Sequence, residues 1–154
     1  MELPSNKVLI IDDDYESMHD LMQHLVKELK WNVELTASVD VLIRLSEEHF
    51  DLLIVDLMIR PTSKDQNGNL TQNIQYRDVK WDRTGLEFLR RFRNGEYSKK
   101  ESGTSSDVPV IVLSAVADTT ANGEWGKILK HEIYVEKPFR LSDLVKQMQS
   151  LVRQ

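Results

Sequence analysis

A short apolar run, Val8-Leu9-Ile10-Ile11, leads directly into the carboxylates Asp12-Asp13-Asp14. The same pattern recurs at Leu52-Leu53-Ile54-Val55, which leads into Asp56. Such runs are typical of buried parallel strands, and open α/β sheets bind ligands outside the carboxyl ends of their strands. If the two strands are neighbours, their carboxylates meet at one edge of the sheet and repel one another, and a hard cation such as Mg2+ relieves that repulsion. The sequence therefore predicts a metal-dependent acidic pocket.

The composition indicates one soluble globular domain. The chain has 154 residues, is 40% hydrophobic and carries a net charge of −5, which argues against broad nucleic-acid binding. It contains no cysteine, which excludes disulfides, thiolate metal sites and a cysteine nucleophile. The first apolar run stops at Asp12 and is too short for a signal peptide or a membrane span, so the expected location is the cytoplasm.

Apolar periodicity predicts alternating strands and helices along the chain. Besides the two runs above, the predicted strands are Val33 to Ala37, Val108 to Leu113 and Ile133 to Glu136. The first predicted helix begins after Asp14, and the second runs from a Ser38 cap through Glu48. The third runs from a capping box at Thr84-Gly85-Leu86-Glu87 through Arg93. A weak fourth helix is predicted from Asp118 to Lys130 and a fifth from Leu141 to Val152. This order implies a parallel sheet with helices on both faces.

The segment from Thr62 to Arg83 breaks this alternation, because it shows no sustained apolar period. Its Asn67-Gly68 pair is a turn signal that fits a hairpin tip. A loop of this length inside a compact domain is uncommon and often functional. Two interpretations stay open: a mixed-charge disordered loop, or a flap specific for a partner, since Tyr76 and Trp81 are residue types that favour interfaces.

Residues of matching chemistry stand at the ends of four predicted strands: Asp12, Asp13, Asp56, Ser114 and Lys137. Taken alone, each aspartate fits a turn or a cap, the serine a turn hydroxyl, and the lysine a solvated surface residue. All of them would face the same edge of the sheet. Their coincidence at matching strand ends indicates one site.

With these residues in this order, the sequence resembles the receiver domain of two-component response regulators from Lys7 to Gln154. The resemblance is carried by Asp12-Asp13 after the first strand, Asp56 in Ile-Val-Asp-Leu-Met, Ser114-Ala115 after Val-Ile-Val-Leu, and Lys137-Pro138-Phe139. It implies a single receiver domain over 1–154 with 62–83 as an inserted loop. The implied fold is flavodoxin-like (βα)5, a doubly wound five-stranded parallel α/β sheet with strand order 2-1-3-4-5.

The resemblance also implies roles for the acidic residues. Asp56 would accept a phosphoryl group from a histidine kinase or a histidine phosphotransfer protein. Asp13 and Asp56 would coordinate Mg2+ together with the backbone carbonyl of Met58, and Asp12 would contribute largely through water. Apart from phosphorylating and dephosphorylating itself, the chain would not be an enzyme.

The remaining residues of the pattern imply a switch. Lys137 would contact a phosphoryl oxygen, with its bond to Pro138 in the cis form, and Ser114 would donate its hydroxyl to another oxygen. Tyr134 would then rotate into the space that Ser114 vacates and alter the surface of the fourth helix, fifth strand and fifth helix. The expected partners are the phosphodonor, a downstream protein and a second copy in a homodimer, with neither nucleic acid nor membrane.

Two alternatives remain open at this point. A phosphohydrolase of the haloacid-dehalogenase type would use Asp12 as nucleophile and Asp14 as general acid, but it needs a further acidic motif after Lys137 and leaves Asp56 unexplained. A degenerate receiver would bind partners without phosphorylation.

Overall fold

The computed structural model describes residues 5–65, 67–115 and 132–152. Its strands are β1 Lys7–Ile11, β2 Asn32–Leu35, β3 Leu52–Asp56, β4 Thr62–Lys64, β5 Leu70–Gln72, β6 Val110–Ser114 and β7 Ile133–Glu136. Its helices are α1 Tyr15–Lys27, α2 Val41–Glu47, α3 Thr84–Arg93 and α4 Leu141–Val152, with a short 3-10 turn at Trp81–Arg83. No described helix is long and apolar enough to cross a membrane.

The main sheet has five parallel strands in the order β2-β1-β3-β6-β7. This is the predicted 2-1-3-4-5 order when the small hairpin of β4 and β5 is left out of the count. Strands β1 and β3 are direct neighbours, and Ile11 lies opposite Val55. The acidic residues at the carboxyl ends of these two strands are therefore brought side by side.

The central strands β1, β3 and β6 each contribute to two hydrophobic cores, because successive side chains point to opposite faces of a sheet. Leu9 and Val55 lie in the core that contains the apolar residues of α2 and α3. Ile10 and Ile54 lie in the core that contains those of α1 and α4. Continuous apolar runs are needed here because both faces of these strands are covered by helices.

The predicted strands are confirmed, with shifts at two of them. The second ends at Leu35 rather than Ala37, and β6 spans Val110–Ser114 instead of Val108 to Leu113. The amide of Val108 closes a turn onto Ser105, at 3.0 Å, and Pro109 has no amide hydrogen to donate. The ladder therefore begins at Val110, and Ser114 is the last strand residue rather than the first residue beyond it.

Two of the predicted helix caps are wrong. Helix α2 begins at Val41 after Asp40, whose backbone is already helical. The Ser38 hydroxyl accepts from the Asp40 amide, which lies before the first helical residue. Thr84 is the first residue inside α3 and makes no cap, and Glu87 pairs with Arg90 and Arg91 instead of closing a capping box. The predicted stop at Asn94-Gly95 is confirmed, with Gly95 at a φ of +86°.

The inserted segment is partly regular, so the interpretation of a disordered loop is wrong. Strands β4 and β5 form an antiparallel hairpin whose turn contains Asn67-Gly68, as the turn signal predicted. Beyond the hairpin, Ile74 is fully buried and Tyr76 packs against the core of α2 and α3. The predicted helix from Asp118 to Lys130 lies outside the described residues.

Candidate functional site

The acidic residues converge at the carboxyl ends of the central strands. Asp12 and Asp13 directly follow β1, and Asp56 is the last residue of β3. Carboxylate oxygens of all three lie within 4.8 Å of one another. Asp12 is 1% exposed and Asp56 is 6% exposed, whereas Asp13 is half-buried at the mouth of the pocket. The structure thus brings together the three carboxylates of the predicted metal site.

Lys137 lies in the same pocket and contacts two of these carboxylates. Its Nζ is 2.7 Å from Asp12 Oδ2 and 3.0 Å from Asp56 Oδ2. The lysine follows β7, its backbone amide donates to the carbonyl of Ser114 at 2.8 Å, and its bond to Pro138 is cis. One ammonium group therefore bridges the residues that end two different strands.

Backbone amides orient each carboxylate. Asp12 Oδ1 accepts from the Asp14 amide at 2.8 Å, and Asp56 Oδ1 accepts from the Met58 amide at 2.9 Å. Asp13 Oδ2 accepts from the amide of Arg60 at 3.0 Å. Bonds of this kind to a charged acceptor are stronger than those between neutral groups, and they leave other carboxylate lone pairs for a cation.

The electrostatics of the pocket reflect burial of like charges. Burial raises the pKa of Asp12 from its ordinary value of 3.8 to about 7, helped by the charge of Asp56 and opposed by Lys137. Burial also raises the pKa of Asp56 against the opposing effect of Lys137. Burial disfavours the charge of Lys137, but attraction to both aspartates outweighs this and raises its pKa. Without a cation, the pocket thus holds more negative charge than Lys137 compensates.

This imbalance predicts a pH-dependent effect of Asp12→Asn on stability. Because the folded-state pKa of Asp12 lies above the ordinary value of 3.8, ionising this group costs stability. That cost is absent below about pH 4 and complete above about pH 7. In metal-free buffer, Asp12→Asn should therefore gain stability relative to the wild type as the pH rises through this window, by an amount on the order of a few kcal/mol.

Urea unfolding of both proteins between pH 4 and pH 8, in the presence of a chelator, measures this difference. A gain that stays constant or shrinks as the pH rises would contradict the assignment. An exposed aspartate such as Asp143 provides the control, because Asp143→Asn makes the same chemical change outside the pocket.

The other predicted residues lie on β6, on β7 and just after β3. Ser114 is fully buried at the end of β6, one position beyond the residue that faces Asp56 across the sheet. Tyr134 lies on β7 opposite Val112 and is half-buried against the core of α2 and α3. The amide of Met58 contacts Asp56, while a metal-binding role for its carbonyl stays a prediction. The switch roles of Ser114 and Tyr134 also stay predictions.

Asp14 does not share the pocket geometry that the phosphohydrolase alternative requires. It is exposed and forms the N-cap of α1, where its side chain accepts from the Ser17 amide at 3.2 Å. A general acid must reach the leaving group in the pocket. This placement removes the main support for the phosphohydrolase alternative. The position of Asp56 inside the pocket fits the receiver interpretation.

Sequence reasoning missed two residues that shape the site. Gly85 approaches the end of β3 so closely that an added Cβ would lie 2.2 Å from the carbonyl oxygen of Asp56, and its amide donates to the carbonyl of Leu57 at 2.9 Å. A glycine at a helix start was the available signal for this approach. Arg60 acts through its backbone amide, which no side-chain pattern reports.

The chain resembles known response regulators in sequence and receiver domains in fold. No protein-family model matches the chain. Over 147 residues it is 26% identical to the heme response regulator HssR of Staphylococcus haemolyticus, an alignment covering 96% of this chain. The chain spans about half, 51%, of the length of that curated relative.

Solved receiver domains share the fold. The receiver domain of the Francisella response regulator 1452 superposes with a TM-score of 0.65 at 19% identity, covering 97% of this chain and 98% of the other. The receiver domain of the sensor histidine kinase PA1611 from Pseudomonas aeruginosa, described with a magnesium ion in its active-site cleft, gives 0.63 at 17% identity and covers 98% and 100%. The resemblance predicted from the sequence is thereby confirmed: the chain has the fold of a response-regulator receiver domain.

Proposed function

We propose that the chain is the phosphoacceptor receiver of a two-component system or phosphorelay, with Asp56 as the residue that is phosphorylated. The observation that carries this proposal is the contact of Lys137 with both Asp12 and Asp56 in a pocket where three carboxylates converge. A structural ion pair requires one carboxylate for one lysine. The additional acidic groups instead favour a site that takes up a cation.

The donor set suits Mg2+. The three aspartates offer only oxygen ligands, which a hard cation prefers, and the partly exposed Asp13 leaves a side open to water and substrate. When bound, Mg2+ supplies positive charge that neutralises the charge developing on the phosphoryl oxygens. We assign its binding to Asp13 and Asp56, with the Met58 carbonyl as a further ligand and Asp12 acting largely through water.

The chemical step transfers a phosphoryl group to a carboxylate. An oxygen of Asp56 forms a bond to phosphorus while the bond between phosphorus and the imidazole nitrogen of the donor breaks, and the imidazole leaves. Lys137, already within hydrogen-bond distance of Asp56, would then pair with a phosphoryl oxygen, and the Ser114 hydroxyl would donate to another. The resulting acyl phosphate is readily hydrolysed, so the signal is reversible.

The response would reach a partner through Ser114 and Tyr134. Ser114 is buried at the end of β6, beside the acceptor strand, and Tyr134 is half-buried on β7, the strand on the other side of β6. A shift of the serine towards the phosphoryl group would leave space for the ring. We propose that this movement changes a surface that binds a downstream protein or a second copy of the chain. We place this activity in the cytoplasm, where a histidine kinase or phosphotransfer protein would act as donor.

The hairpin of β4 and β5 supports the earlier hypothesis of a partner-specific flap. It borders a groove of about 590 Å3 whose other wall is the start of α1, and Asp13 of the acidic pocket also lines this groove. Lys64 and Asp65 contribute from the hairpin. A phosphodonor that approaches Asp56 from this side would contact the hairpin, so its sequence would influence which donor is accepted.

Incubation with acetyl phosphate tests the proposal, with intact mass as the readout. We expect one added phosphoryl group. It should not form when the Mg2+ is chelated beforehand, and hydroxylamine should remove it once formed. Absence of any adduct would overturn the proposal in favour of a degenerate receiver. Continuous turnover of acetyl phosphate that is lost in Asp12→Asn but retained in Asp56→Asn would instead support the phosphohydrolase.

A further inference from the structure

The inserted segment reaches the acidic pocket through a buried asparagine. Asn73 directly follows β5 and is 1% exposed. Its side-chain Nδ2 donates to the carbonyl of Arg60 and to Ser63 Oγ, both at 2.9 Å, and its backbone amide donates to Pro61 at 2.9 Å. Asn73 therefore ties the far end of the hairpin back to the chain just after the acceptor strand.

Arg60 connects this asparagine to the pocket. Its carbonyl accepts from Asn73, and its amide donates to Asp13 Oδ2 at 3.0 Å. The preceding amide, that of Ile59, donates to the carbonyl of Trp81 at 3.1 Å, and Ile59 is fully buried. The backbone around Arg60 is thus held on both sides, and its amide is directed at a carboxylate.

The side chain of Arg60 does not take part in this chain of bonds. Its guanidinium lies over the ring of Trp81, 5.7 Å from the ring centroid, and the residue is exposed. Contact with the pocket is made by the backbone alone. A substitution that changes the side chain and one that removes the amide hydrogen can therefore be separated by experiment.

Asp13 is the carboxylate that most needs such support. It is only half-buried, whereas Asp12 and Asp56 are held by burial and by contact with Lys137. A partly exposed carboxylate rotates freely unless a donor fixes it, and fixing a ligand before the metal arrives strengthens metal binding. The hydrogen bond from the Arg60 amide supplies that restraint to Asp13.

We propose that Asn73 is a positioning residue for metal binding, acting through the backbone of Arg60 on the Asp13 carboxylate. The insertion would then contribute to metal binding at the acidic pocket as well as lining the groove beside it. This inference rests on the proposed function, because it takes Mg2+ as the cation that Asp13 helps to bind.

Titration of the metal-free protein with Mg2+ by calorimetry tests the proposal. We expect Asn73→Ala to weaken Mg2+ binding about 10-fold, the lower end of the range typical of groups that orient metal ligands. Ser63→Ala is the matched control: it removes another partner of Asn73 but retains the bond to Arg60, so its Mg2+ affinity should stay close to that of the wild type. Thermal unfolding with chelator present reports the stability of each variant.

A second pair of variants tests the link to Asp13 directly and leaves the buried Asn73 side chain in place. Arg60→Ala and Arg60→Pro lose the same charge, but only the proline variant loses the amide hydrogen that reaches Asp13. We expect Mg2+ binding about 10-fold weaker in Arg60→Pro than in Arg60→Ala.

The outcomes separate this inference from the proposed function. Equal Mg2+ affinity in Asn73→Ala and the wild type, or in the two Arg60 variants, would overturn the positioning role while leaving the receiver proposal intact. Equal weakening in Asn73→Ala and Ser63→Ala would also overturn it, because general loosening of the hairpin would then be the cause. A wild type that binds no Mg2+ would overturn both.

Discussion

Asp56→Asn is expected to abolish phosphoryl uptake completely and to leave the protein folded. Asparagine keeps the size of the side chain and an oxygen that can accept from the Met58 amide, but its neutral amide is no nucleophile towards phosphorus. The substitution also removes the like charge that, together with burial, raises the pKa of Asp12. In metal-free buffer at pH 7, the variant should therefore be more stable than the wild type, by on the order of 1 kcal/mol.

Two measurements check this prediction. Intact mass after incubation with acetyl phosphate and Mg2+ reports the adduct, and urea unfolding reports stability. Asp143→Asn is the matched control, since this aspartate is exposed in the first turn of α4 and should take up phosphate like the wild type. An adduct that persists in Asp56→Asn would mean that another residue is the acceptor.

Gly85→Ala is expected to destabilise the protein by about 3 kcal/mol, at the upper end for overpacked sites. The added Cβ would lie 2.2 Å from the carbonyl oxygen of Asp56 and 2.6 Å from the Cα of Leu57. Both are backbone atoms, so no side-chain rotation relieves the clash. Helix α3 must move away from the end of β3, and this shift displaces the acceptor itself. Phosphoryl uptake should fall together with stability.

Gly103→Ala separates the two effects. Its Cβ would meet the carbonyl oxygens of Ser46 and Leu45 at 2.5 and 2.7 Å, a clash of similar severity between the connector after α3 and the end of α2. This variant should lose stability, but its folded fraction should accept phosphate at the rate of the wild type. Equal rates for folded Gly85→Ala and folded Gly103→Ala would show that the position of α3 does not matter to the acceptor.

The sheet and the acidic pocket could be predicted from sequence because their signals are local. An apolar run that ends in a carboxylate specifies both the strand and the edge at which its acid appears, as for Ile11 followed by Asp12 and Val55 followed by Asp56. The order of strands and helices then brings Lys137 to the same edge. Only the resemblance to receiver domains assigned separate roles to these residues.

The remaining features depend on contacts between segments that are distant in sequence. Thr84 and Glu87 fit the sequence pattern of a capping box. In the structure, however, Glu87 forms ion pairs with Arg90 and Arg91 one turn further along the helix, and Thr84 is buried. The contact of Asp13 with Arg60 uses an amide that every residue except proline possesses. No residue type signals such a bond, so sequence patterns do not report it.

The inserted segment has two parts: an outer ribbon, formed by strands β4 and β5, and an inner anchor that contains Ile74 and Tyr76. This division determines which part can be altered. On the ribbon, Lys64 and Leu70 are exposed, whereas in the anchor Ile74 is fully buried and the hydroxyl of Tyr76 lies 2.6 Å from that of Tyr97. Excising the whole segment would open the core and confound any effect on recognition. Exchange or extension of the ribbon alone leaves the anchor in place. If the hairpin acts as the proposed flap, its ribbon is therefore where a change of donor preference would cost little folding stability.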